Sequence, residues 1–206
     1  MNNIQTNKAT QLDVAHQVVN RKKLALSGTK FVARVAVLAG LMVASKLAVY
    51  NALPFASFID LTAVILIAST MALGFRTGIT TSIVFILLGA WIWSVGWWLL
   101  TWVIWYPALA LSVAFLPKTR FSWVFAAIIG TVFAIAFALL SSFLYVLTSM
   151  DLIGEGQNLF STFWAFYISG AVATWLGVLS WVITLFLLTR PLTIAIERID
   201  NIGRVH

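Results

Sequence analysis

Of 206 residues, 62% are hydrophobic, 9% are charged and none is cysteine, with a formal net charge of +7. A soluble domain carries about 25% charged residues, so a water-facing globular surface is excluded, as are disulfides, thiolate metal sites and a cysteine nucleophile. The thirteen basic residues are spread along the chain rather than gathered in one groove-sized patch, which argues against a nucleic-acid partner.

Residues 1–30 are polar and contain Lys8, Arg21, Lys22, Lys23 and Lys30. The first apolar run starts too late for a secretory signal. Leu12, Ala15 and Val19 recur at helical spacing. Residues 11–26 therefore read either as a basic amphipathic helix on the inner leaflet or as a partly ordered cytoplasmic tail.

A helix crossing ~30 Å of hydrocarbon needs about 20 apolar residues. Six runs approach or exceed that length: Phe31–Tyr50, Phe58–Phe75, Ile79–Ser94, Trp97–Leu116, Phe121–Thr148 and Phe160–Leu188. The expected fold is all-α, a polytopic bundle of six transmembrane helices. Residues 31–190 form the membrane domain and residues 191–206 a cytoplasmic C-terminal tail. The third run is short, and only Val95 and Gly96 part it from the fourth.

Basic residues accumulate on the cytoplasmic side of membrane proteins. With six spans, the N-terminal segment, Arg34, Arg76, Lys118, Arg120, Arg190, Arg198 and Arg204 share one side, and loops 51–57, 95–96 and 149–159 carry no Lys or Arg. Both termini are then cytoplasmic, and the expected location is the bacterial cytoplasmic membrane. Lys46, near the outer end of span 1, is the exception. It flanks loop 51–57 together with Asp60. Either Lys46 snorkels to the interface while Asp60 sits among headgroups, or the two face an outer cavity and pair with each other or with a charged ligand.

The stretch from Trp91 to Pro107 holds six of the chain's ten tryptophans. Trp91, Trp93, Trp97 and Trp98 fall at the outer interface, where aromatic belts form. Trp102 and Trp105 lie ~8 and ~12 Å deeper than Trp97 and follow Trp98 at i, i+4, i+7 spacing, on one face. That face reads as a stacking wall for a flat ligand or as ordinary bundle packing. Span 5 adds Ser141, Ser142, Tyr145 and Thr148. The last span and its leading loop add Gln157, Asn158, Ser161, Thr162, Trp164, Tyr167 and Ser169. Aromatic walls with a few convergent polar groups are the usual form of a small-molecule site.

Three features resemble the substrate-binding S-component of energy-coupling factor (ECF) vitamin transporters. Span 1 contains ARVAVLAGLMVASK with Ala36, Gly40 and Ala44 in small-xxx-small register. The second-to-third turn reads ALGFRTGI, with Gly74, Arg76 and Gly78 matching the family's inner turn. The last span closes LLTRPLTIAIERI. The resemblance covers most of residues 30–200. It implies a non-enzymatic subunit that captures a vitamin or related precursor near the outer face and needs no cofactor or metal. Its implied partners, besides the lipid bilayer, are a transmembrane coupling subunit and two ATPases. Lys46, Asp60, Trp98, Trp102, Trp105, Tyr145, Trp164 and Tyr167 are the expected ligand-binding residues. Ala36, Gly40 and Ala44 are the expected docking face.

The absence of GxxxxGK[ST] fits this division of labour. Two further small-residue stripes, Ala126-Gly130-Ala134-Ala138 and Ser169-Ala173-Gly177, offer the same close helix approach. Most such stripes must serve internal packing. Two other classes compete. A structural or scaffold protein of the envelope would share the bundle without a ligand cavity. An intramembrane enzyme or ion-coupled carrier would need acids or histidines at depth, whereas His16 and His206 lie outside the spans and Asp60 is the one acid near a span's interior.

Overall fold

Apolar chain in hydrocarbon must satisfy its backbone within the segment, and the helix does so. The computed structural model describes residues 28–49, 61–117, 119–148, 158–169 and 171–202, and every regular element among them is helical. In chain order these are α1 (Gly28–Val49), α2 (Leu61–Leu73), α3 (Phe75–Trp93), α4 (Trp97–Ala114), α5 (Ser122–Thr148), α6 (Leu159–Ser169) and α7 (Ala171–Ile202). Residues 1–27, with the expected amphipathic segment 11–26, lie outside the described residues, as do the 51–57 loop, Asp60 and Gln157.

Each expected apolar run holds a helix with bounds within a few residues, but four helices and not six are long and apolar enough to span a membrane, and the last run is divided. The sixth is two helices, α6 and α7, and α7 runs through Pro191 to Ile202, so most of the expected C-terminal tail continues the last helix. Proline removes one intrahelical hydrogen bond, which a long helix with packed neighbours tolerates. α1, α3, α5 and α7 are long and apolar enough to cross a membrane, marking a membrane-embedded protein. α2 and α4 are shorter apolar helices. At ~20 Å, α2 falls short of the ~30 Å hydrocarbon thickness.

α2 sits at the centre. Its residues Thr62 through Thr70 are all buried, and a helix apolar and buried on every side is a bundle axis. It packs against α3, α4 and α7, while Leu38, Ala39, Met42 and Val43 of α1 enter the same core. α4 and α5 pack together, and α5 packs on α7. Several hydroxyls inside the bundle are satisfied locally. Thr70 Oγ1 donates to the Leu66 carbonyl at 2.7 Å, Thr184 Oγ1 to Ser180 at 2.7 Å and Thr193 Oγ1 to Thr189 at 2.7 Å. This back-bonding lets Ser and Thr sit in an apolar helix without water.

The ALGFRTGI turn has a backbone reason for both glycines. Gly74 alone separates α2 from α3, at φ 89° and ψ 174°, a region essentially restricted to glycine. Its N–H donates to the Thr70 carbonyl at 2.9 Å. At Gly78 a Cβ would collide with the Thr70 side chain, so glycine there lets α3 lie against α2. The segment is a tight interhelical turn.

Antiparallel neighbours bring the described basic residues of α1, α3, α7 and the α4–α5 turn to one end of the bundle. There Arg34 of α1 forms an ion pair with Asp200 of α7, and the Arg190 guanidinium lies 5.8 Å from the Trp123 ring centre. Lys46 stands toward the opposite end of α1.

Candidate functional site

Around Lys46 the bundle builds an aromatic wall. Trp102 is buried, at 7% exposure. It stacks on Phe85 of α3 (centroids 5.1 Å apart) and meets Trp98 at 4.6 Å, Trp93 at 5.8 Å and Tyr106 at 5.8 Å. Gly89 makes the fit possible, since a Cβ there would come within 2.8 Å of the Trp102 ring. The Lys46 ammonium lies 5.4 Å from the Trp102 ring centre, within cation–π range. The expected partner Asp60 lies outside the described residues. The geometry gives Lys46 an aromatic partner that the sequence reading did not anticipate.

Trp105 faces elsewhere. Its ring meets Phe133 at 4.7 Å and Phe137 at 5.1 Å, and Phe137 also meets Trp181 of α7 at 5.7 Å. Trp102 therefore turns toward α3 with Trp98 beside it, and Trp105 toward α5. The i, i+4, i+7 face divides at Trp105 because different helices cover it at different heights, α3 beside Trp102 and α5 beside Trp105. Both indole N–H groups, of Trp105 and Trp181, are buried with no acceptor, as is the Thr101 hydroxyl one turn before Trp105. A buried donor without a partner costs about 1–3 kcal/mol, and the Thr81 and Thr189 hydroxyls are in the same position. Trp181 and Thr101 were not singled out from the sequence. The available signal was depth: Trp181 lies ten residues inside α7.

A third aromatic group occupies α6. Trp164 and Tyr167 are 5.8 Å apart, Phe163 stacks on Tyr167 at 6.0 Å, and Phe143 of α5 reaches Phe163 at 6.2 Å. Tyr145 is half-buried on α5. α6 packs chiefly on α5, so Trp164 and Tyr167 belong to a separate group from Trp98 and Trp102. Asn158 caps α6: its Oδ1 accepts from the Phe160 N–H at 2.9 Å, the usual work of an N-cap asparagine. Of the belt residues, Trp91 is 84% exposed and Trp93 packs edge-on against Trp102.

The small-residue stripes separate cleanly. Ala126 and Ala134 are buried, and a Cβ on Gly130 would lie 2.8 Å from Leu185 and 3.0 Å from Ile67. The α5 stripe is thus internal, the seat of α7 and α2. On α1, Ala36, Gly40 and Ala44 are all exposed, and a Cβ on Gly40 would meet nothing within 4 Å. The stripe through Ser169 and Ala173 falls on side chains outside the described residues. Comparison with protein-family models, with curated proteins and with solved structures finds no match.

Proposed function

We propose that the chain is the membrane-embedded substrate-binding subunit of an ECF-type importer. In this reading it crosses the bacterial cytoplasmic membrane six times with both termini inside. It captures a vitamin or related micronutrient at the outer face and docks on a transmembrane coupling subunit energised by two ATPases. The observation that carries the reading is the exposed Ala36-Gly40-Ala44 stripe, set beside the like stripe on α5 that its own bundle consumes. A helix face of small residues allows close backbone approach by another helix, and on α1 none of the described helices uses it.

The ligand half of the reading rests on Lys46 over Trp102, with Trp98 beside it, and on the unpartnered indole N–H groups of Trp105 and Trp181. The first group offers one positive charge beside flat apolar rings, and the second, on the α5 side, offers donors for carbonyl oxygens or ring nitrogens. That chemistry suits a flat heteroaromatic compound bearing acceptors.

A second reading, an envelope scaffold without a transported ligand, is favoured by the close packing of Trp102 and Trp105 against the protein's own rings. Mass spectrometry of small molecules released from the detergent-purified protein separates the two. An importer subunit releases a stoichiometric heteroaromatic compound and is recovered with a coupling subunit. A scaffold releases none.

A further inference from the structure

Two cavities of about 480 and 440 Å³ lie side by side between α1 and α7. Both are lined by Leu41, Leu192 and Ala195, so they form one continuous cleft. Leu61, Val64 and Ile65 of α2 floor one end and Leu73 the other. The walls are aliphatic except at the ends. At the far end is Ser45, whose hydroxyl donates to the Met42 carbonyl at 2.8 Å. At the basic end are Lys30, Arg34 and Asp200.

We propose that this cleft seats one anionic phospholipid, its phosphate at Lys30 and Arg34 and one acyl chain along the α2 floor. Three observations carry the assignment. Lys30 and Ser45 are fifteen residues apart on α1, ~22 Å of helix. That matches one leaflet: ~15 Å of hydrocarbon plus the headgroup layer. The charged mouth sums to one net positive charge, two basic residues against one acid, the complement of a singly charged phosphodiester. Arg34 pairs with Asp200, yet a guanidinium carries five N–H donors and this one is 35% exposed. The proposal is independent of any ligand at the Lys46 end.

The test titrates the full-length protein in neutral detergent with phosphatidylglycerol and with phosphatidylcholine of the same acyl chains, read by native mass spectrometry. A basic residue near a membrane surface is worth about 1 kcal/mol toward anionic lipid, roughly fivefold, so phosphatidylglycerol should bind about fivefold tighter. The preference should vanish in Arg34→Gln and in Lys30→Gln/Arg34→Gln/Asp200→Asn, persist in Arg34→Lys and persist in Arg76→Gln, a basic residue outside the cleft. Ala195→Phe, at a position lining both cavities, should weaken both lipids. Tail-less glycerol phosphate should not compete. Equal binding of the two lipids by the unmodified protein overturns the proposal. So does a preference that survives the triple neutralisation or is lost equally in Arg76→Gln, and so does displacement by glycerol phosphate.

Discussion

Lys46 holds its ammonium 5.4 Å from the centre of the Trp102 ring, and that ring is wedged between Phe85 and Trp98. A cation at membrane depth needs a partner, and a desolvated aromatic face supplies one worth about 2 kcal/mol. Lys46→Met should lower thermal stability in detergent, and Lys46→Arg should keep it. In a double-mutant cycle with Trp102→Leu, the coupling should be about 1 kcal/mol. Strict additivity would remove the ion–ring contact from the account.

Gly40 and Gly130, in the α1 and α5 stripes, should respond oppositely. Gly130 faces Leu185 and Ile67, so Gly130→Leu overpacks the core and should destabilise by about 1–3 kcal/mol. Gly40 faces open space, so Gly40→Leu should melt like the parent while losing recovery of the coupling subunit. A destabilised Gly40→Leu would show the stripe packing this protein's own helices.

The α2–α3 turn should resist side chains for two separate reasons. Gly74→Ala forces a non-glycine residue to φ 89°, at about 1–3 kcal/mol. Gly78→Val drives a branched side chain into Thr70 and should cost at least as much. Thr70→Ala should partly relieve Gly78→Val and leave Gly74→Ala unchanged, as read by detergent melting.

Trp105 and Trp181 bury N–H groups with no acceptor, so Trp105→Phe and Trp181→Phe lose no hydrogen bond in the free protein. Their cost to melting should come from the lost ring volume alone. If those donors receive the ligand, each change should weaken binding of the co-purified compound by roughly two- to tenfold. Trp91→Leu, at an 84% exposed position, should leave affinity untouched. Unchanged affinity in both phenylalanine variants would place the ligand elsewhere.

Orientation is testable without any ligand. Reporter fusions at Gly154 should read as external and fusions at Lys118 as cytoplasmic, as the clustering of basic residues at one bundle end predicts. The reverse pattern, or the same side for both, would overturn the six-pass arrangement.

Composition and hydropathy were enough to place this chain in a membrane and bound most of its helices, and the ALGFRTGI motif marked a turn over 74–78 that the structure narrows to Gly74. Those properties are local: an apolar run must become a helix in hydrocarbon, and a positive φ selects glycine. Which face of each helix looks inward was not legible. α4 reads WWLLTWVIWYPALALSVA, apolar all round, and with lipid as apolar as the core no polar stripe records the difference between neighbour and solvent. Tertiary packing alone decided that Ala126, Gly130 and Ala134 are buried while Ala36, Gly40 and Ala44 are exposed. It also decided that Trp105 turns from Trp102 toward Phe133 and Phe137, and that α7 continues far enough for Asp200 to meet Arg34. Each outcome depends on how helices distant in sequence approach one another, a relation set by side-chain volume at the contacts and not by the periodicity of any one segment.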